Sequence, residues 1–186
     1  MILVTGASGF IGRHLVAALA AEGRPVRALV RSDEAADRVR GVSPDVELAR
    51  GDLVDGDALK AAAAGCELVY HLAGTYRGSP AELHGSHVAG TARLLRSVEA
   101  HARLVYVSST SVYGWDQDWP ADHESPPRPD SAFGRAKLAA ERLVLARTVG
   151  SAVVVRPTIT YGIGDGSGML ARAYRLMKRG VRRFPG

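Results

Sequence analysis

Thr5-Gly6-Ala7-Ser8-Gly9-Phe10-Ile11-Gly12, placed directly behind the apolar run Met1-Ile2-Leu3-Val4, decides how this chain is read. An apolar run, a glycine turn, and then Ile11, Leu15, Val16 and Leu19 at helical spacing predict strand, loop and helix. The glycines have separate tasks. Gly6 lets the chain turn off the strand, Gly9 lets the backbone approach a pyrophosphate, and Gly12 lets the helix press against the sheet. The helix N-terminus adds free N–H groups and the positive end of a dipole, a setting for an anion. The spacing is G-x-x-G-x-x-G, one residue longer than the common G-x-G-x-x-G, and the flanking strand and helix give it meaning.

Outward from this loop the pattern repeats. Strands are expected at 25–30, 46–49, 68–72, 104–107 and 152–155, and helices at 10–22, 33–40, 57–64, 81–100, 132–147 and 169–179. Strands alternating with helices imply an α/β fold: a doubly wound parallel sheet, the Rossmann arrangement, with right-handed crossovers. Ligands of such sheets bind at the carboxyl ends of the strands. The loops at 6–12, 31–33, 52–53, 73–76, 108–113 and 156–160 all belong to those ends, so residues 1–186 read as one dinucleotide-binding domain. The segment 115–130, with Pro120, Pro126, Pro127 and Pro129, reads as a loop over the site.

The second strand ends at Arg31-Ser32, with Asp33 just beyond. An acid there holds the adenosine ribose of NAD, whereas an arginine accommodates the extra phosphate of NADP. Arg31 therefore favours NADP, with NAD possible if Arg31 is solvated and Asp33 turns to the ribose.

Composition narrows the class. At 186 residues and 46% hydrophobic, the chain is long enough for one domain with a sizeable core. No run is long enough to cross a bilayer, so no membrane partner is expected, and no leader precedes the first strand. The lone Cys66 excludes an internal disulfide and fits packing in a reducing cytoplasm. The net charge of +5 comes from arginines dispersed among acids, so no nucleic-acid partner is expected. His71, His84, His87, His101 and His123 show no ligand spacing with acids or cysteine, so no metal is expected.

The chain resembles the extended short-chain dehydrogenase/reductase family, which includes the NAD-dependent epimerase/dehydratases. The matching pieces are the 5–12 loop, Gly51-Asp52-Leu53, His71-Leu72-Ala73-Gly74, Gly90-Thr91, Val107-Ser108-Ser109, Val112-Tyr113-Gly114, the Lys137 helix, and Arg156-Pro157-Thr158 with Tyr161-Gly162. The resemblance implies a cofactor site made of Gly6, Ser8, Gly9, Phe10, Ile11, Gly12, Arg31, Asp52, Leu53, Leu72, Ala73, Gly74, Lys137 and Pro157. It implies Ser109 and Lys137 as catalytic residues, with Lys137 holding the nicotinamide ribose. It also implies a small-molecule substrate and a homodimer face on the helices at 81–100 and 132–147.

The family's third catalytic residue is a tyrosine four before the lysine, and here that position is Phe133. Phenylalanine has no hydroxyl with which to exchange a proton. General acid–base catalysis is worth about 100- to 10,000-fold, so the resemblance implies an oxidoreductase or epimerase/dehydratase relative with impaired turnover. The alternative is a nucleotide-binding sensor or structural subunit without catalysis. Asparagines common in the family are replaced by His87 and Ile159, and Arg31 with Arg156-Pro157 looks more like the NADP-dependent reductase branch. The family also continues into a C-terminal substrate region that is expected to be largely absent here.

Overall fold

The computed structural model describes residues 1–115, 120–147, 150–166 and 169–180. Parts of the expected loops at 115–130 and 162–168, and the tail from 181, lie outside the described residues. Six parallel strands are present: β1 (Ile2–Thr5), β2 (Val26–Val30), β3 (Glu47–Arg50), β4 (Leu68–His71), β5 (Arg103–Val107) and β6 (Ala152–Val155). Their order across the sheet is β3-β2-β1-β4-β5-β6, the doubly wound order read from the alternation of elements.

Alternate strand residues feed two cores, because successive side chains point to opposite faces. Ile2, Val4, Val26, Ala28 and Val30 face α1 (Phe10–Ala21) and α2 (Asp33–Arg40) through Val16, Leu19 and Val39. Leu3, Val69, Leu104 and Tyr106 lie in the opposite core. There α3 (Gly56–Ala63), α5 (Gly90–Ser97) and α6 (Ala132–Leu145) bring Leu59, Leu94, Ala140 and Val144. Cys66 is buried in this second core, its Sγ near Ala62 O, so its role is packing, as expected.

Most helix starts are chemically closed. Ser32 caps α2, Asp55 caps α3 and Ser131 caps α6 through side-chain oxygens that accept main-chain N–H groups. A Ser79–Glu82 capping box opens α4 (Pro80–His84). The start of α1 is different: Gly9 stands at the cap and supplies no side-chain acceptor.

The expected helix at 81–100 is not uniform. Between α4 and α5 the chain makes a π-helical turn, Gly85–Ala89, and α5 stops at Ser97 where Val98 becomes extended. Apolar spacing cannot register such a widened turn, and widened turns of this kind frequently occur at functional sites. The last helix, α7, spans Met169–Lys178. Among the described residues no helix is long and apolar enough to cross a membrane.

Candidate functional site

The strand order reverses direction between β1 and β4, and the loops after those two strands lead to helices on opposite faces of the sheet. Gly6 has φ +70°, and a Cβ at that position would lie 2.7 Å from the Ala73 nitrogen. The two loops are thus pressed together through a glycine. Gly12 differs from expectation. A Cβ there would lie 2.1 Å from Gly6 O and 2.9 Å from Ala7 Cα, so Gly12 lets α1 press against the loop itself and not the sheet.

Above this contact is a cavity of about 710 Å³. Gly6, Ser8 and Gly9 line it, with Leu72, Ala73 and Gly74 from the loop after β4 and Arg31, Asp52 and Leu53 at the far side. Phe10, Ile11 and Gly12 form the first turn of α1 and are not in the cavity wall. The Phe10 ring packs edge-on against His14. A dinucleotide fits this arrangement on two observations. Glycines stand where side chains would fill the cradle, and the uncapped start of α1 borders it with no acid in its first turn.

At the far side Arg31 and Arg38 both line the cavity. Asp33 does not; its carboxylate is paired with Arg50. Arg38 lies on α2 two turns beyond Arg31 and was not anticipated from the sequence. Its signal was the 33–40 helix pattern, which carries it to the same end of the sheet.

Tyr76 lines the cavity beside Ala73 and Gly74, and it forms an aromatic group with Phe133 and His87, which are not in the wall. Phe133 meets Tyr76 edge-on at 5.0 Å and His87 at 5.4 Å between ring centroids. One turn along α6, Lys137 is buried and donates from Nζ to Val107 O at 2.8 Å. Its ammonium lies over the rings of Tyr106 and Phe133. Burial pushes the Lys137 amine down to about 8, against an opposing pull from the Glu141 carboxylate. Ser109 caps the 3-10 turn Thr110–Val112; its Oγ accepts from Ser111 N and donates to Ser111 Oγ. Neither Ser109 nor Lys137 is in the cavity wall.

A buried network below Lys137 was missed in the sequence. Glu141 is 1% exposed and takes a two-pronged bond from Arg156, Nε at 3.0 Å and Nη2 at 2.8 Å. Arg156 also donates to Tyr113 Oη, which donates onward to Asp122 O. Arg156 therefore ties β6 to α6 and the proline-rich loop. Pro157 lies outside the cavity wall, and its carbonyl accepts from Thr110 N. The signal for Glu141 was its place four residues after Lys137, one turn along the same helix face.

His71 bridges Thr5 Oγ1 and Thr91 Oγ1 inside the fold, joining β1, β4 and α5. Burial, with the nearby Lys137 charge, pushes His71 down to about 3 and His87 down to about 4 from an ordinary 6.5. Both are neutral at pH 7 and cost nothing there. As pH falls below about 6.5, the unfolded chain takes up protons that the folded chain refuses until about pH 4 and 3. Each histidine then removes roughly 1.4 kcal/mol of stability per pH unit. The urea midpoint is expected to drop steeply between pH 6.5 and 4, and His87→Asn to make the drop about half as steep. A midpoint flat across that window contradicts the burial of these rings as neutral groups.

The family model described as NAD dependent epimerase/dehydratase matches residues 2–184. The chain is 38% identical over 171 residues to the 4-hydroxy-2-methyl-3-oxo-4-farnesyl-3,4-dihydroquinoline-1-oxide ketoreductase of Stigmatella aurantiaca, covering 87% of this chain and 51% of that one. It is 35% identical over 182 residues to the 2-alkyl-3-oxoalkanoate reductase of Stenotrophomonas maltophilia, covering 88% and 52%. A short-chain dehydrogenase/reductase superfamily protein from Agrobacterium tumefaciens, solved with bound NAD, superposes with a TM-score of 0.75 at 31% identity. That match covers 97% of this chain and 59% of the solved one. The chain spans about half the length of the curated relatives it matches.

Proposed function

This chain belongs to the NAD-dependent epimerase/dehydratase family, and from that premise we propose that it binds NADP(H) and acts on a carbonyl or hydroxyl of a small molecule. The observation that carries the reading is the glycine cradle at the bare start of α1, opening on a 710 Å³ cavity with two arginines at its far side. In this reading residues 1–186 are a dinucleotide-binding domain. Gly6, Ser8, Gly9 and the first turn of α1 hold the pyrophosphate, Asp52 and Leu53 the adenine, and Ala73 and Gly74 the stretch between the phosphates and the nicotinamide. The single buried thiol, Cys66, supports a reducing, cytoplasmic setting.

Arg31 and Arg38 support NADP over NAD. Both border the cavity, and the acid that would hold a ribose diol, Asp33, is engaged by Arg50. Lys137 holds the nicotinamide ribose, its amine oriented by Val107 O. A reduced nicotinamide held there would supply hydride chemistry to a substrate carbon. Ser109 orients the substrate oxygen once its hydroxyl leaves Ser111. Phe133 holds the tyrosine position with the right shape and no proton, so turnover is reduced. A ketone is the favoured substrate class, because both curated relatives are named as reductases of oxo compounds.

The alternative, a nucleotide-binding subunit without turnover, is favoured by Phe133 and by the engaged Ser109 hydroxyl. Cofactor choice is tested with Arg31→Asp. Loss of a charge-assisted phosphate contact is expected to weaken NADPH binding by about tenfold or more while NADH gains. Unchanged NADPH affinity overturns the role of Arg31.

A further inference from the structure

The geometry points to Tyr76 as a proton donor to the substrate oxygen, supplying from the cavity wall the phenol that Phe133 lacks. The inference rests on the oxidoreductase reading above. Among the described residues Tyr76 is the tyrosine that lines the cavity, and its ring stands edge-on to Phe133 at 5.0 Å. Other phenols are unsuited, Tyr70 because it packs against the core below α1 and α2, and Tyr174 because it is not in the cavity wall. Tyr113 has its hydroxyl taken by Asp122 O and Arg156, and Tyr106 is fully buried beneath Lys137. Tyr161 is exposed but is not in the cavity wall.

Tyr76 is 73% exposed, yet the loop that carries it is held on both sides. Thr75 O accepts from His87 Nε2 at 2.7 Å, and Thr75 N donates to Ser86 Oγ at 3.2 Å. The Thr75 hydroxyl donates to Arg77 O at 2.7 Å, and the Ser79–Glu82 box closes the segment. Ser86 and His87 both sit in the π-helical turn, so the widened turn brings two side chains to one residue of this loop, Thr75. A carbonyl only accepts, so His87 Nε2 carries its proton, and Nδ1 has no partner among the described residues. His87 thus touches the Phe133 ring and anchors the neighbour of Tyr76. The replaced asparagine and the replaced tyrosine meet at one point, beside a phenol.

The step balances with groups already named. The substrate carbon gains a hydride, the C=O π pair moves to oxygen, and the Tyr76 O–H bond breaks as its proton forms the new O–H bond. The carbonyl is reduced and the dihydronicotinamide oxidised. The phenolate regains its proton from water, which the exposure of Tyr76 admits.

Tyr76→Phe removes only the hydroxyl and keeps the ring against Phe133. The probe is acetophenone, with turnover measured under NADPH and binding to the chain without nucleotide read by saturation-transfer NMR. The hydroxyl is expected to contribute about 100-fold to turnover and about fivefold to acetophenone affinity. Tyr76→Phe/Phe133→Tyr is expected to recover turnover through the restored phenol at 133. Equal turnover in the chain and Tyr76→Phe overturns the proposal, as does an inactive chain beside an active Phe133→Tyr variant. If neither reduces acetophenone, the affinity decides: a fivefold weakening in Tyr76→Phe supports the contact and equal affinity overturns it. Failure to bind NADPH removes the oxidoreductase reading itself and is seen separately.

Discussion

Gly12→Ala is expected to abolish nucleotide binding and to destabilise the fold by about 3 kcal/mol or more. In an ordinary helix the same change gains about 1 kcal/mol, because alanine loses less backbone freedom than glycine. Here the added methyl would lie 2.1 Å from Gly6 O and 2.9 Å from both Gly6 C and Ala7 Cα. All three atoms are backbone, so no side chain can rotate aside. Relief requires moving α1 off the loop that forms the cavity floor, and Gly6 is itself pinned against Ala73. Strain therefore wins over propensity. The control is Gly56→Ala at the first turn of α3, where a Cβ meets nothing within 4 Å. That variant is expected to stay within about 1 kcal/mol of the parent. Urea unfolding of the pair, with NADPH titration, reads both effects.

Phe133→Tyr is expected to raise ketone turnover by about 100-fold in the Tyr76→Phe background, where no other phenol supplies the proton. The ring lies between those of Tyr76 and His87, with the Lys137 ammonium 5.8 Å from its centroid. A phenol there gains a cation held close by a fixed main-chain bond, which favours the phenolate and eases proton exchange. Because burial has pulled the Lys137 amine down to about 8, the gain is expected to fade as pH rises through that value and the cation is lost. Turnover of NADPH with a panel of ketones, from pH 6 to 9, checks both the size and the fade. No gain at any pH means that the 133 position does not reach the reacting atoms.

The parts legible in the sequence were those that local chemistry forces. Glycines at 6 and 12 are demanded by backbone contacts under 3 Å, and Arg31 is placed by the end of β2. The sheet followed from alternation of short apolar runs with helical spacing. Phe133 draws attention by its place four residues before Lys137. What stayed hidden joins residues far apart through side chains. The Glu141–Arg156–Tyr113 network, the Thr5–His71–Thr91 bridge and the bond from His87 to Thr75 O have no periodicity to show them. The π-helical turn was hidden for a related reason. Within it His87 and Ser86 bond to Thr75, and the apolar pattern around it still reads as a plain helix. Tyr76 lay in a loop whose composition says only that it turns, and the edge-on contact with Phe133 gives it meaning.

The most direct measurement is titration of the unmodified chain with NADPH and with NADH, following the fluorescence of the reduced nicotinamide. Saturable binding of both, tighter for NADPH by about tenfold, is the result expected from the glycine cradle with Arg31 and Arg38 at its far side. Binding of neither nucleotide contradicts the cofactor reading, and a preference for NADH contradicts the role of the two arginines.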